Sequence, residues 1–143
     1  MMRIMIIKKE GPEIMTLIDT SVLSSILRRN KSDEHTKKFV SLLMENKAFI
    51  IGPIRQKLLS GISNESQFHL LKDKLKAIPE ISITSEDYKR AASFFNICRK
   101  NGVQGSHIDF LICAVAYRNN MQIYTLDQDF ISFNKYLDIQ LRK

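Results

Sequence analysis

Short apolar runs alternate along this chain with longer stretches whose apolar residues recur at helical spacing, and that alternation admits few architectures. Met15–Ile18, Ala48–Ile51, Ile81–Ile83 and Gln122–Tyr124 read as strands, with Ile139–Leu141 a further edge strand. Helices are expected from Ser21 to about Arg29, Asp33 to Glu45, Gly52 to near Gly61 and Glu65 to Ala77. Others are expected from Thr84 to Lys100, His107 to Asn119 and Phe130 to Tyr136. Parallel strands need a crossover of helix length, so this order predicts an α/β fold with a mainly parallel central sheet. Local chemistry supports the boundaries. Pro53 suits a first helical turn, where its missing N–H is harmless. Thr84 before Ser85-Glu86-Asp87 reads as an N-cap with acids at the positive end of the helix dipole. Asn101-Gly102 reads as a helix stop.

A length of 143 residues suits one domain, large enough to bury a core without metal or disulfide. We place that domain at residues 15–143, after an N-terminal extension over 1–14. The extension's apolar patch, Ile4–Ile7, is too short for a secretory leader, and no run is long enough to span a membrane. Cys98 and Cys113 both fall inside helical patterns, which predicts buried thiols and a reducing, cytoplasmic setting. The net charge of +7 has a plain reading, solubility, and a functional one, attraction to a polyanion such as nucleic acid. The basic residues are dispersed, as a basic rim around an acidic pocket would be.

Three acids sit where a parallel sheet can converge them. Asp19 closes the first strand and Asp127 follows the fourth, and ligands of open α/β sheets bind beyond the carboxyl ends of the strands. Asp109 heads an apolar helix on the stripe of Ile112, Cys113 and Ala116, a costly place for an acid that is neither paired nor metal-bound. Asp129 lies two positions after Asp127, so a turn can aim both at one cation. Each acid taken alone also reads as a helix cap or a first-turn acid favoured by the dipole. Together they make a set of hard oxygen ligands for Mg²⁺ or Mn²⁺, with Ser21, Ser106 and Thr125 able to orient ligands or waters.

These residues, in order and spacing, resemble a PIN domain, and more narrowly the toxin (VapC-type) component of a VapBC toxin–antitoxin pair. The resemblance runs from about Met15 to Leu141. It rests on Leu17-Ile18-Asp19-Thr20-Ser21, the helix Gly52 to Gly61, Gly105-Ser106-His107-Ile108-Asp109-Phe110-Leu111-Ile112 and Tyr124-Thr125-Leu126-Asp127-Gln128-Asp129-Phe130. It implies a three-layer α/β/α sandwich and a Mg²⁺-dependent endoribonuclease. A homodimer, an RNA substrate and a cognate antitoxin are implied as its partners. Asp19, Asp109 and Asp127 take the family's metal-ligand positions, with Asp129 accessory.

One position departs from that pattern. The family carries a glutamate on the helix after the second strand, and this chain has Lys57 there. Helical spacing puts Lys57 near Ile54, Leu58 and Gly61, which predicts an ammonium turned inward toward the acids, pairing with them and weakening cation binding. In the other reading the side chain swings outward and leaves a three-aspartate site. Both make a weakened or inactive nuclease. Lys57 also favours an alternative function, a non-catalytic PIN-fold module that titrates an antitoxin or RNA.

Overall fold

A computed structural model of the chain describes residues 14–29 and 33–142. The expected extension, save Ile14, lies outside the described residues. Among these, the strands are β1 (Thr16–Ile18), β2 (Ala48–Phe49), β3 (Gln122–Tyr124) and β4 (Gln140–Leu141). The helices are α1 (Thr20–Arg29), α2 (Glu34–Met44), α3 (Gly52–Leu59), α4 (Glu65–Leu75), α5 (Ser85–Lys100), α6 (His107–Asn119) and α7 (Asp129–Phe133).

The sheet order is β2-β1-β3-β4 and every pairing is parallel. The chain leaves β1 for β2 on one side and β3 for β4 on the other. The strand order therefore reverses between β1 and β3, and such a switch opens a crevice at the carboxyl ends of those two strands. Right-handed crossovers running in opposite directions put α1 and α2 on one face and α6 and α7 on the other. This is the expected α/β/α arrangement.

Why these elements form is visible in their burial. β1 and β3 are buried at every position, as strands covered on both faces must be. Along α6 the run Phe110–Ala116 is wholly buried, which suits a helix held between the sheet and α5. Asp87 caps the start of α5 in a reciprocal box with Thr84. Although Asp87 is fully buried, it accepts from Arg118 Nε and Nη2, both at 2.8 Å. Burial would push that carboxyl up, but the bonds from Arg118 and Thr84 prevail and hold it below the usual aspartate value. Both cysteines are free and buried, as expected.

The expected strand at Ile81–Ile83 does not form. Glu80 makes one parallel bridge to Ile50, flanked by Ile50 N–H to Pro79 O (3.0 Å) and Ile81 N–H to Ile50 O (2.9 Å). Beyond it the carbonyl of Ser82 accepts from Arg118 at 2.9 Å and Thr84 turns to cap α5. Ile81 and Ile83 still pack against the core. Their apolarity reflects burial without ladder pairing.

Candidate metal centre at the carboxyl edge of the sheet

Because Ile18 and Tyr124 are register partners, the residues that follow them emerge side by side. The Asp19 N–H donates to Tyr124 O at 2.9 Å. Asp19 is 6% exposed, and its Oδ2 accepts from Ser21 Oγ at 2.8 Å and Thr125 Oγ1 at 2.7 Å. Ser21 Oγ also accepts from the Leu126 N–H at 2.9 Å, and Thr125 Oγ1 from the Asp127 N–H at 3.0 Å. A hydroxyl has one proton to donate, and both protons go to Asp19. The 3.2 Å approach of the two hydroxyls to each other therefore adds no further bond. Ser21 and Thr125 thus tie the ends of β1 and β3 around one carboxylate oxygen.

Asp109 reaches the same edge from α6. Its Oδ2 accepts from the Ser106 N–H at 3.0 Å, while the Asp109 N–H donates to Ser106 Oγ at 3.1 Å. This capping box fixes the first turn of the helix. Gly105 places it: a Cβ there would stand 2.5 Å from Phe133 Cζ and 3.0 Å from Phe110 Cε2. Only a residue without a side chain lets the backbone lie so close to those rings. Half-buried Asp109 has a carboxyl raised above the ordinary aspartate value. Burial is the main cause, the charges of Asp19 and Asp127 add to it, and the bonds to Ser106 oppose it. Cys113, one turn on, is likewise pushed well up by burial and by the charges of Asp109, Cys98 and Asp19.

Asp127 is half-buried and its Oδ1 accepts from the Asp129 N–H at 2.9 Å. Asp129 is exposed in the first turn of α7. The i, i+2 pair is therefore at least a turn that starts a helix. Each of Asp19, Asp109 and Asp127 anchors one oxygen in the protein, and the other oxygen takes no hydrogen bond among the described residues. Among those residues no three His, Cys, Asp or Glu side chains lie close enough to enclose a metal ion by themselves. This donor set suits a cation that keeps much of its water, as Mg²⁺ does, and it does not suit a dehydrated protein cage.

Lys57 is not turned inward. Ile54 and Leu58 carry the buried stripe of α3, and Lys57 is exposed beside it. Among the described residues it forms no salt bridge, and the charges that bear on Asp109 are those of Asp19 and Asp127. Burying an ammonium is expensive, and the free end of a lysine stem reaches water readily. Pairing of Lys57 with the aspartates is absent from this structure.

Some participants escaped the sequence reading. Tyr124 ends β3 with its hydroxyl 2.9 Å from His35 Nδ1, tying α2 to the edge, and nothing in the spacing of those residues announces the bond. Gly105 did carry a signal, a glycine directly before a helix cap, but its cause is an aromatic contact distant in sequence.

The sequence matches the family model described as PIN domain over residues 16–136. No curated protein sequence matches it. Among solved structures, FitAcB from Neisseria gonorrhoeae is similar at 18% identity, with a TM-score of 0.73, covering 90% of this chain and 97% of that one. DNA-bound VapBC from Salmonella typhimurium is similar at 10% identity and a TM-score of 0.75, covering 91% and 98%. VapC20 of Mycobacterium tuberculosis, a sarcin–ricin loop cleaving toxin, is similar at 16% identity and a TM-score of 0.59, covering 87% and 98%.

Proposed function

The chain belongs to the PIN-domain family, and on that premise we propose that it is built as a Mg²⁺- or Mn²⁺-dependent endoribonuclease, the toxin of a toxin–antitoxin module. The observation that carries the proposal is the shared field at the sheet edge. Three acids from β1, α6 and the segment after β3 are near enough for Asp19 and Asp127 to raise the carboxyl of Asp109. A fold does not gather unpaired carboxylates for stability, since like charges in a half-buried site repel. Such a cluster is a functional-site candidate for a physical reason.

Asp19, Asp109 and Asp127 would hold the cation, in part through water, with Asp129 at the rim. When bound, the cation would supply a water of lowered pKa and charge stabilisation for a phosphodiester under in-line attack. The chain's own contribution is orientation. Ser21 and Thr125 fix Oδ2 of Asp19, Ser106 fixes Oδ2 of Asp109, and the unengaged oxygens are left for the ion and its waters. The net charge of +7 favours attraction of RNA to the chain as a whole, and a cognate antitoxin and a second copy of the chain are the protein partners of this reading.

In this reading Lys57 weakens the chain by what it removes and what it adds. The site loses one acid, and the helix beside it gains a positive charge. Lys57→Glu is expected to tighten Mn²⁺ binding measured by calorimetry and to raise Mg²⁺-dependent cleavage of single-stranded RNA at least tenfold. If the reverted chain binds Mn²⁺ tightly yet cleaves no RNA, the nuclease assignment fails. Equal cleavage by both chains would overturn the role given to Lys57. Lys57 also favours the second reading, a non-catalytic module that captures an antitoxin or RNA. It predicts RNA or antitoxin binding that is indifferent to metal in both chains.

A further inference from the structure

The wall that positions Asp109 also closes a small cavity. Gly105 stands directly before Ser106, whose N–H holds Asp109, and it lines a hollow of about 210 Å³ together with Phe95, Arg99, Val103, Gln104 and Phe110. Pockets for drug-sized ligands run to roughly 300–1,000 Å³, so this one takes a single planar ring system. Its floor is aromatic and braced. Phe95 and Phe110 meet edge to face with centroids 5.7 Å apart, and Phe110 leans on Phe133 at 4.8 Å. His107 stacks on Phe95 at 5.2 Å and 16°. Arg99 and Gln104 stand exposed at the mouth, and their side chains take no hydrogen bond or ion pair among the described residues.

Resting on the ribonuclease reading, we propose that this cavity holds one unpaired base of the RNA beside the phosphodiester presented to the acidic edge. Aromatic walls take any base by its π-face, and single-stranded RNA is the form whose bases can be splayed out to reach them. Gln104 presents both a donor and an acceptor to a base edge, which gives the cavity a means of preference. Arg99 presents a forked cation to the neighbouring phosphate. An apolar hollow rimmed by an uncommitted guanidinium and an amide fits a nucleotide. A plain hydrocarbon ligand would leave both polar groups without a use. The cavity lies one residue from the Ser106 N–H, so a base seated there would fix which bond of the strand meets the carboxylates. This supplies register to a site whose metal ligands read only phosphate.

The experiment is binding of a short single-stranded RNA to the full chain without divalent metal, followed by fluorescence anisotropy. Val103→Trp fills the hollow and is expected to weaken binding about 5- to 100-fold, the span that stacking of one base on an aromatic carries. Arg99→Ala and Gln104→Ala change exposed positions and are expected to weaken it about 3- to 10-fold, which keeps the test decisive if the tryptophan variant does not fold. Thiouridine-substituted RNA is expected to photo-crosslink to the peptide bearing Phe95 or Phe110. Unchanged affinity in the folded Val103→Trp variant, or in both exposed variants, with crosslinks elsewhere, overturns the base pocket and leaves the ribonuclease reading standing. If the parent chain binds no RNA either without metal or with Mn²⁺ added, both fall together.

Discussion

At the scale of single residues, Asp109 shows an acid held half-buried beside other acids at a cost to the fold. Its carboxyl is raised by burial and by its acidic neighbours, so folding binds its proton more tightly than the unfolded chain does. The stability it contributes is fully present below the unfolded aspartate value and is lost as pH rises through the folded one. At neutral pH the ionised group therefore opposes folding. Asp109→Asn keeps an oxygen for the Ser106 N–H and removes that charge. In metal-free buffer it is expected to raise the thermal midpoint at pH 7 and to leave it nearly unchanged at pH 3, while abolishing Mn²⁺ binding. A lower midpoint at pH 7 would show that the charge is already compensated. Gain of stability on removing a site residue is the usual sign of a trade-off between function and fold.

At the scale of elements, a buried ion pair ties α5 to α6, the helix that carries Asp109. Arg118, near the end of α6, donates two hydrogen bonds to the buried carboxylate of Asp87 and one to Ser82 O. Arg118→Met leaves that carboxylate buried without its partner. The expected loss is about 3 kcal/mol, the low end of roughly 3–5 for a broken buried pair, because the arginine is itself 32% exposed. The sign with pH follows from the lowered carboxyl of Asp87. Its stabilisation is present above the unfolded aspartate value and disappears as pH falls through the folded one. Chemical denaturation at pH 7 and pH 2 is therefore expected to separate the two chains widely at the first and little at the second. Elements of this kind were largely legible in the sequence. The strands before Asp19 and Asp127 showed because buried parallel strands read as continuous apolar runs, and the cap at Thr84 showed because caps are local. The segment Ile81–Ile83 misled because apolar residues pack against a core whether or not their backbone finds a ladder. The direction of Lys57 misled for a related reason, since a position beside a buried stripe says little about where a long flexible side chain ends. Pairing across the site and the base-sized cavity depend on side chains far apart in sequence, which no local pattern encodes.

At the scale of the whole molecule, charge sets how a polyanion is met. The chain carries a net charge of +7 while its candidate site is acidic, so in the proposed function RNA would be attracted by the chain as a whole and repelled at that edge unless a cation sits there. Metal-free affinity for single-stranded RNA is expected to fall linearly in log–log form with added salt, with a slope of about −0.7 for each phosphate engaged. Mn²⁺ is expected to strengthen binding by the Lys57→Glu chain more than by the parent. Affinity that ignores salt would remove the electrostatic account of substrate capture.

The hydroxyl of Thr125 and the carboxylate of Asp19 are 106 positions apart in the chain yet 2.7 Å apart in space. The strand that delivers Thr125 has its outer side covered only when Gln140 and Leu141 pair with it. During synthesis, then, Asp19 has the nearby hydroxyl of Ser21 but waits through almost the whole of translation for that of Thr125. The acidic edge cannot be completed on a ribosome-bound fragment that lacks β3. If the chain is the ribonuclease proposed for it, a site assembled this late would stay silent beside the RNA that encodes it until the sheet has closed.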